Sequence, residues 1–572
     1  MKKSFRLLSL LLVFALLLST LLSCGLLPDK EPEKDDVVGD HNDDLTEKKG
    51  YKITLVYGDG RIGYMYATDN IAQVPEAPTR SGYTFKGWYF EDGVTFIIGE
   101  NFYVESDMTL YAKWEPSSIN PGIDGPGTQY PTSEFVMPEG GYDGSAVTIT
   151  FYHQMGARLK ETLNQAIADF NKIYPNITVE HESLGDYNGI RDQIKTEISV
   201  GAQPHIAYCY PDHVALYNLA GAVQTLDVFI EDPNVGFTAE QLADFIPAFY
   251  NEGAVYGDGK MYTLPVSRST EVLYYNKTFF EEHNLQVPTT WEEMEAVCAQ
   301  IKAIDPTCIP LGYDSEANWF ITMCEQYGSP YTSATGENFL FDNDTNRNFV
   351  KRFRTWYQNR WVTTEELSGG YTSALFTGDN SFSWEGSEAS RGTRCYMCIA
   401  STGGATYQQP KQINGNFEFE VGITSIPQVD PSNPKVISQG PSLCIFKKSN
   451  PQEMVATWLF AKFLATNVNF QANVSMITGY TPVIRSVKDN PVYAEWLSGA
   501  STANITAYAV KVALEQENAY FALPAFNGSS VARDQVGYLL QKCFVLPADG
   551  LDAAIKAAFE RAVEECKYQS GQ

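Results

Sequence analysis

Hydrophobic and polar residues follow different periods in successive stretches of the chain. Leu7 to Leu18 is an apolar run broken only by Ser9, with Lys2, Lys3 and Arg6 ahead of it. That is the length of an export-signal core, short of the ~20 residues a membrane-spanning helix needs. Residues 29–49 are charged and carry almost no large apolar group. They bury too little surface to offset ordering entropy, which predicts a flexible tether. A period of two follows in Lys52-Ile-Thr-Leu-Val-Tyr57. Gly58-Asp-Gly60 then turns the chain, and Tyr64-Met-Tyr66, Tyr83-Thr-Phe85, Gly87-Trp-Tyr89 and Met108–Trp114 continue the pattern after a turn-rich crossing at Val74–Gly82. This predicts a small β module over 50–115, with Trp88, Trp114, Phe85 and Tyr83 as its core. Pro and Gly crowd residues 116–145, predicting a second linker.

From about residue 146 strands and helices alternate. Val147–Tyr152 predicts a strand, and Leu159, Leu163, Ile167, Phe170 and Ile173 then recur at helical spacing. Ile177–Glu180 and Ile206–Tyr210 predict strands, with helices at Asp192–Val200 and Val214–Leu219. Such alternation implies an α/β fold with a parallel sheet. Residues 146–572 exceed one comfortable core, so two lobes are expected.

Composition narrows the function. The chain is 44% hydrophobic and 19% charged, which suits globular cores. Its 69 acidic against 41 basic residues give a formal charge of −28. That surface repels nucleic-acid phosphates and disfavours docking to anionic lipid. Ten cysteines are present, but those after Cys24 are scattered and odd in number, which points to packed hydrophobes rather than a disulfide framework. Cys395-Tyr-Met-Cys398 is a lone CxxC without the second pair a zinc site needs, leaving a local bridge open. His205 and His213, near Tyr208 and Tyr210, are read as hydrogen-bonded histidines at strand ends rather than metal ligands. No metal or cofactor is expected. Neither a GxSxG, an HExxH nor a P-loop occurs, so no enzyme is expected.

Three resemblances add to this reading. Leu21-Leu22-Ser23-Cys24 followed by Gly25 resembles the lipobox of bacterial lipoproteins. It implies cleavage after residue 23 and a lipid on the Cys24 thiol, anchoring the protein at the outer face of the cytoplasmic membrane. The string from Pro78-Thr-Arg-Ser-Gly-Tyr-Thr-Phe-Lys-Gly-Trp88 to Met108–Trp114 resembles the Listeria–Bacteroides surface repeat, a β-grasp-like module of Gram-positive surface proteins. Asp169–Pro175, Gly257–Pro265, Val272–Lys277, Val287–Met294, Ala456–Leu464 and Thr478–Val483 together resemble the extracellular solute-binding proteins of ABC importers. Within that group they are most similar to the sn-glycerol-3-phosphate-binding branch.

The last resemblance implies two α/β lobes, the type II periplasmic-binding-protein fold, closing on a small polar solute for an ABC permease. A monomer is expected. Carried over singly, Tyr187, Ser269, Ser387, Gly440 and Tyr480 match ligand-contacting positions, and Trp319 falls near a tryptophan wall. Asp212 is a displaced counterpart of an acidic residue after the third strand. The branch's phosphate-gripping Arg has no match in Phe521–Asn527; Arg533 and Arg268 are the substitutes at hand. An Arg fork suits phosphate, so its absence there favours a neutral sugar or polyol. The residues alone agree, since a sugar site wants aromatic faces and short polar donors in a concave cleft. Loops after strands supply Tyr152-His-Gln154, Tyr210, Asp212, Ser267-Arg-Ser269, Trp319 and Trp384. The alternative is a surface adhesin whose repeat binds a wall or host polymer.

Overall fold

The computed structural model describes residues 51–57, 62–67, 71–73, 75, 83–89, 101–104, 106–116, 134–379, 381 and 386–572. The apolar run at Leu7–Leu18, Cys24, the tether at 29–49, the Gly58–Gly60 turn and Trp384 lie outside the described residues, as do the side chains of Tyr83 and Phe85. The chain divides into two compact units, residues 1–121 and 122–572.

In the smaller unit the strands run in the order Ile62–Tyr66, Lys52–Val56, Met108–Pro116, Tyr83–Tyr89. Lys52–Val56 pairs parallel with Met108–Pro116, and the other neighbours are antiparallel. Ile53, Leu55 and Tyr57 turn inward against Trp88 and Leu110 while the intervening residues face out, the geometry that a period of two requires. Trp88 is 2% exposed. Its indole N–H donates to the Pro75 carbonyl at 3.1 Å, and that of Trp114 donates to Tyr57 at 2.6 Å.

The larger unit holds two main sheets, beside the small antiparallel pair Gln412–Ile413 and Asn416–Phe417. The first runs Thr263–Pro265, Ser442–Ile445, Ile206–Cys209, Val147–His153, Ile177–Ser183. Val147–His153 pairs in parallel along its whole length with Ile177–Ser183. The helix Ala157–Ile173 covers it through Leu163, Ala166 and Phe170, whereas Ile173 faces solvent at 59% exposure. The helix expected from Asp192 begins at Tyr187, because the Asp186 carboxylate caps it by accepting from the Gly189 amide at 2.8 Å. The next helix, Pro211–Asn218, starts on a proline whose missing N–H is dispensable there.

The second sheet runs Val362–Thr364, Leu311–Tyr313, Met397–Ser401, Ser267–Asn276, Val436–Gln439, Tyr520–Phe521. Around it lie the helices Glu316–Tyr327, Asp344–Gln358, Ser529–Phe544 and Leu551–Ser570. Phe135, at the end of the stretch expected as linker, stacks on Phe229 at 5.0 Å, so residues 134–145 are seated on this unit. Cys395 packs with Ile309 and Leu375, and Cys398 with Val272 and Tyr274. They sit in different core clusters, both thiols are free, and no bridge joins them.

Candidate functional site

Two chain links and one short strand lie side by side where the sheets meet. Val266 links Thr263–Pro265 to Ser267–Asn276, and its N–H donates to the Pro441 carbonyl at 3.1 Å. Gly440-Pro441 links Val436–Gln439 to Ser442–Ile445. Thr481–Pro482 pairs antiparallel with Ser267–Arg268. Gly440 is demanded by this crowding: a Cβ there would stand 2.1 Å from the Ser267 carbonyl oxygen and 3.0 Å from the Arg268 Cα.

Arg268 ties the crossings together and is 1% exposed. Its Nη1 donates to the carbonyls of Ser267 at 3.0 Å and Pro441 at 2.8 Å, and its Nη2 donates to Ser442 Oγ at 2.8 Å and to the Glu252 carboxylate. Burial pushes the Glu252 carboxyl up, and the Arg268 charge opposes that rise. With both Nη nitrogens engaged and only Nε left without a partner, the guanidinium has no fork free for a ligand. Arg268 is therefore a structural clamp, not the phosphate-binding substitute expected from the sequence.

The first lobe presents two phenols to the junction. Tyr187 and Tyr210 are half-buried with ring centroids 4.5 Å apart, and Gln154 Nε2 donates to the Tyr187 hydroxyl at 2.6 Å. Burial raises the Tyr187 phenol well above its ordinary value, and the nearby Tyr210, Tyr480 and Tyr208 add to the rise. Tyr480 enters just ahead of the strand Thr481–Pro482. Its ring lies over Gly403, where a Cβ would meet Cε1 at 2.6 Å. Burial raises its phenol, with the Ser269 hydroxyl and the Arg268 charge opposing. Asp212, on the first-lobe helix Pro211–Asn218, accepts a hydrogen bond from Ser530 Oγ on the second-lobe helix Ser529–Phe544. That bond spans the two lobes.

The second lobe supplies a polar wall. Ser269 Oγ donates to the Gln439 carbonyl at 3.1 Å. Arg533 Nη2 donates to Asn318 Oδ1. Arg533 can only donate, so the Gln439 amide oxygen must face it, accepting from Nη1 at 3.1 Å and Nη2 at 2.8 Å. Behind Asn318 sits Glu271, 2% exposed. Burial pushes its carboxyl up to about 7, against the hydrogen bonds from Tyr313 and Asn318 and the charge of Arg533.

Tyr187, Asp212, Ser269, Gly440, Tyr480 and Arg533 thus gather at the crossings. Trp319 does not join them. It is fully buried, stacked on Tyr313 at 4.8 Å and against Phe353 at 4.1 Å, which makes it core rather than a cleft wall. Ser387 is buried too, and its hydroxyl accepts the Ser390 N–H at 3.2 Å to close a local turn. Two residues the sequence reading passed over, Asn318 and Gln439, are the immediate neighbours of Trp319 and Gly440. One step along a helix turns a side chain by about 100° and one step along a strand reverses it. No group of three or more His, Cys, Asp or Glu side chains suited to a metal occurs among the described residues. His205 Nδ1 lies 3.0 Å from Thr150 Oγ1 and its Nε2 lies 3.2 Å from Glu453.

The family model of a bacterial extracellular solute-binding protein matches residues 165–498. The chain belongs to that family. A second model, the Listeria-Bacteroides repeat domain, matches residues 51–113 of this solute-binding protein. The sn-glycerol-3-phosphate-binding periplasmic protein of Salmonella typhimurium is 24% identical over 350 residues, spanning 59% of the chain and 75% of that relative. Among solved structures, the sugar-binding protein MalE of Xanthomonas citri aligns with a TM-score of 0.58 at 20% identity, covering 74% of the chain and 98% of its own. UgpB of Mycobacterium tuberculosis in complex with glycerophosphocholine aligns at 0.56 and 16%, covering 74% and 98%. These likenesses show the two-lobed α/β fold expected from the sequence.

Proposed function

We propose that this protein is the receptor of an ABC importer, captures a neutral sugar or polyol between its lobes and hands it to the permease. The observation that carries the reading is the convergence at the crossings of phenols from both sides, Tyr187, Tyr210 and Tyr480, with the polar Ser269, Gln439, Asn318 and Arg533. Aromatic faces match the C–H faces of a sugar, and short donors and acceptors match its hydroxyls. The Salmonella relative's named ligand, a glycerol phosphate, and the sugar-binding title of the Xanthomonas structure support a small polyhydroxyl solute. Asp212 and Ser530, joined across the lobes, are the contact that hinge closure makes and opening breaks. A lipid on Cys24 holds the receptor at the outer face of the cytoplasmic membrane of a Gram-positive cell, and the repeat module serves as a spacer.

A thermal-shift screen of the full mature chain against mono- and oligosaccharides, polyols and glycerol phosphate tests this. A ligand at 100 times its dissociation constant stabilises by about 2.7 kcal/mol. A shift with a neutral sugar or polyol, with compaction in small-angle scattering, is the expected result. A shift with phosphorylated polyols alone overturns the neutral assignment. Silence across the panel, with wall-glycan binding by the intact chain, replaces the importer reading with the adhesin.

A further inference from the structure

Glu271 lies on Ser267–Asn276 with its carboxylate closed off from solvent. Its Oε2 accepts from the Tyr313 hydroxyl at 2.6 Å and its Oε1 from Asn318 Nδ2 at 2.8 Å. An amide can donate only through its nitrogen. Once Nδ2 is fixed on the carboxylate, Asn318 Oδ1 must turn the other way, where it accepts from Arg533 Nη2. The amide is therefore a relay, its hydrogen end on an anion and its oxygen end on a cation.

The state of the guanidinium follows. An Arg grips a phosphate or carboxylate through two parallel N–H bonds, either from Nη1 with Nη2 or from Nε with Nη2. Both faces need Nη2. In Arg533 that nitrogen donates to Asn318 and, at 2.8 Å, to Gln439. Neither bidentate face is left whole, while single donors on Nε and Nη1 remain for a hydroxyl.

We infer that Glu271 is a specificity-determining positioning residue, which through Asn318 pins and electrically balances Arg533 and so biases the junction toward uncharged polyhydroxyl ligands over anionic ones. The inference rests on the proposed solute-binding role of the junction. Glu271 touches no ligand in this scheme; it acts through Asn318. Removing its charge while keeping its shape should unbalance the guanidinium and free Asn318 to turn, restoring an anion-gripping fork.

The test uses the intact mature protein and isothermal titration with maltose as the neutral probe and sn-glycerol 3-phosphate as the anionic one. In E271Q the ratio of phosphate to maltose affinity should rise at least tenfold. In the double variant E271Q/R533M that gain should vanish, because it depends on the guanidinium. A purely structural role would weaken both probes together and lower Tm without moving the ratio; that result, or a ratio within twofold of the starting protein, overturns the inference and leaves the receptor reading intact. A gain that persists without Arg533 overturns it as well. Binding of neither probe to either protein overturns this inference, while the receptor reading is decided by the wider thermal-shift panel.

Discussion

Substitution of Arg268 by Met should unlock the crossings. The side chain keeps its length and loses its charge, so the Glu252 carboxylate, 8% exposed in the residue as a whole, is left without its counter-ion. The carbonyls of Ser267 and Pro441 and the Ser442 hydroxyl lose their donors with it. Removing one partner of a buried ion pair costs about 3–5 kcal/mol, because the remaining charge stays desolvated. The loss should depend on pH. Burial already raises the Glu252 carboxyl, and without the guanidinium it rises further. A folded-state value above the unfolded one gives stability that is present at low pH and lost as pH climbs through the folded value, by at most about 1.4 kcal/mol per pH unit for one proton. Urea unfolding followed by tryptophan fluorescence should show R268M weakened by about 4 kcal/mol at pH 7.5 and by clearly less at pH 5. Replacing both partners, R268M/E252L, should recover most of the loss, since apolar groups of similar volume substitute well for a buried pair. A deficit below 1 kcal/mol at pH 7.5, or one that is equal at pH 5, would refute the clamp.

Other outcomes follow from the same geometry. His153 Nδ1 accepts the Met155 N–H at 3.0 Å, so its proton sits on Nε2 and donates to His181 Nδ1 at 2.9 Å, while His181 Nε2 donates to Asn164 Oδ1 at 2.9 Å. Burial pushes His153 down to about 3 and lowers His181. Below pH 6.5 the unfolded chain therefore binds protons that the folded one refuses, and stability falls as pH drops, by up to about 1.4 kcal/mol per unit for each ring. H153Q/H181Q should flatten that slope in a urea series, and an unchanged slope would count against the pair. Gly440→Ala should destabilise by about 3 kcal/mol or more, because its new Cβ meets backbone that cannot give way. Gly404→Ala, with nothing within 4 Å, should change the urea midpoint by the equivalent of less than about 1 kcal/mol. Trp319→Ala should cost about 3–5 kcal/mol in the same assay, as loss of a core aromatic does; a loss under 1 kcal/mol would return Trp319 to the cleft.

Local pattern made much of the fold readable. Period-two alternation placed Ile53 and Leu55 inside the small module, and helical spacing placed Leu163 and Phe170 against the first sheet. Ile173, the last residue of that helix, faces solvent instead. In the junction, short motifs led to segments that meet at the crossings but not always to the side chain that faces it: Trp319 turned to the core and Asn318 to Arg533, one residue apart. Arg268 and Arg533 differ in what surrounds them, and Glu252, Pro441, Asn318 and Gln439 come from distant parts of the chain. Ser530 and Asp212 meet only because two lobes face each other, a relation no local window contains.

The strand order of the first sheet sets a timetable for folding. Ser442–Ile445 lies between Thr263–Pro265 and Ile206–Cys209, bonded to both. A nascent chain that has emerged only as far as the second lobe therefore holds a first sheet with a gap in its middle and two raw edges. Contacts across such long sequence separations form slowly, so the first lobe closes only after most of the polypeptide exists. Splitting the gene at any one of the crossings accordingly yields no fragment pair in which each piece carries one complete sheet, and a circularly permuted chain that starts just before residue 442 would bring the missing strand out first.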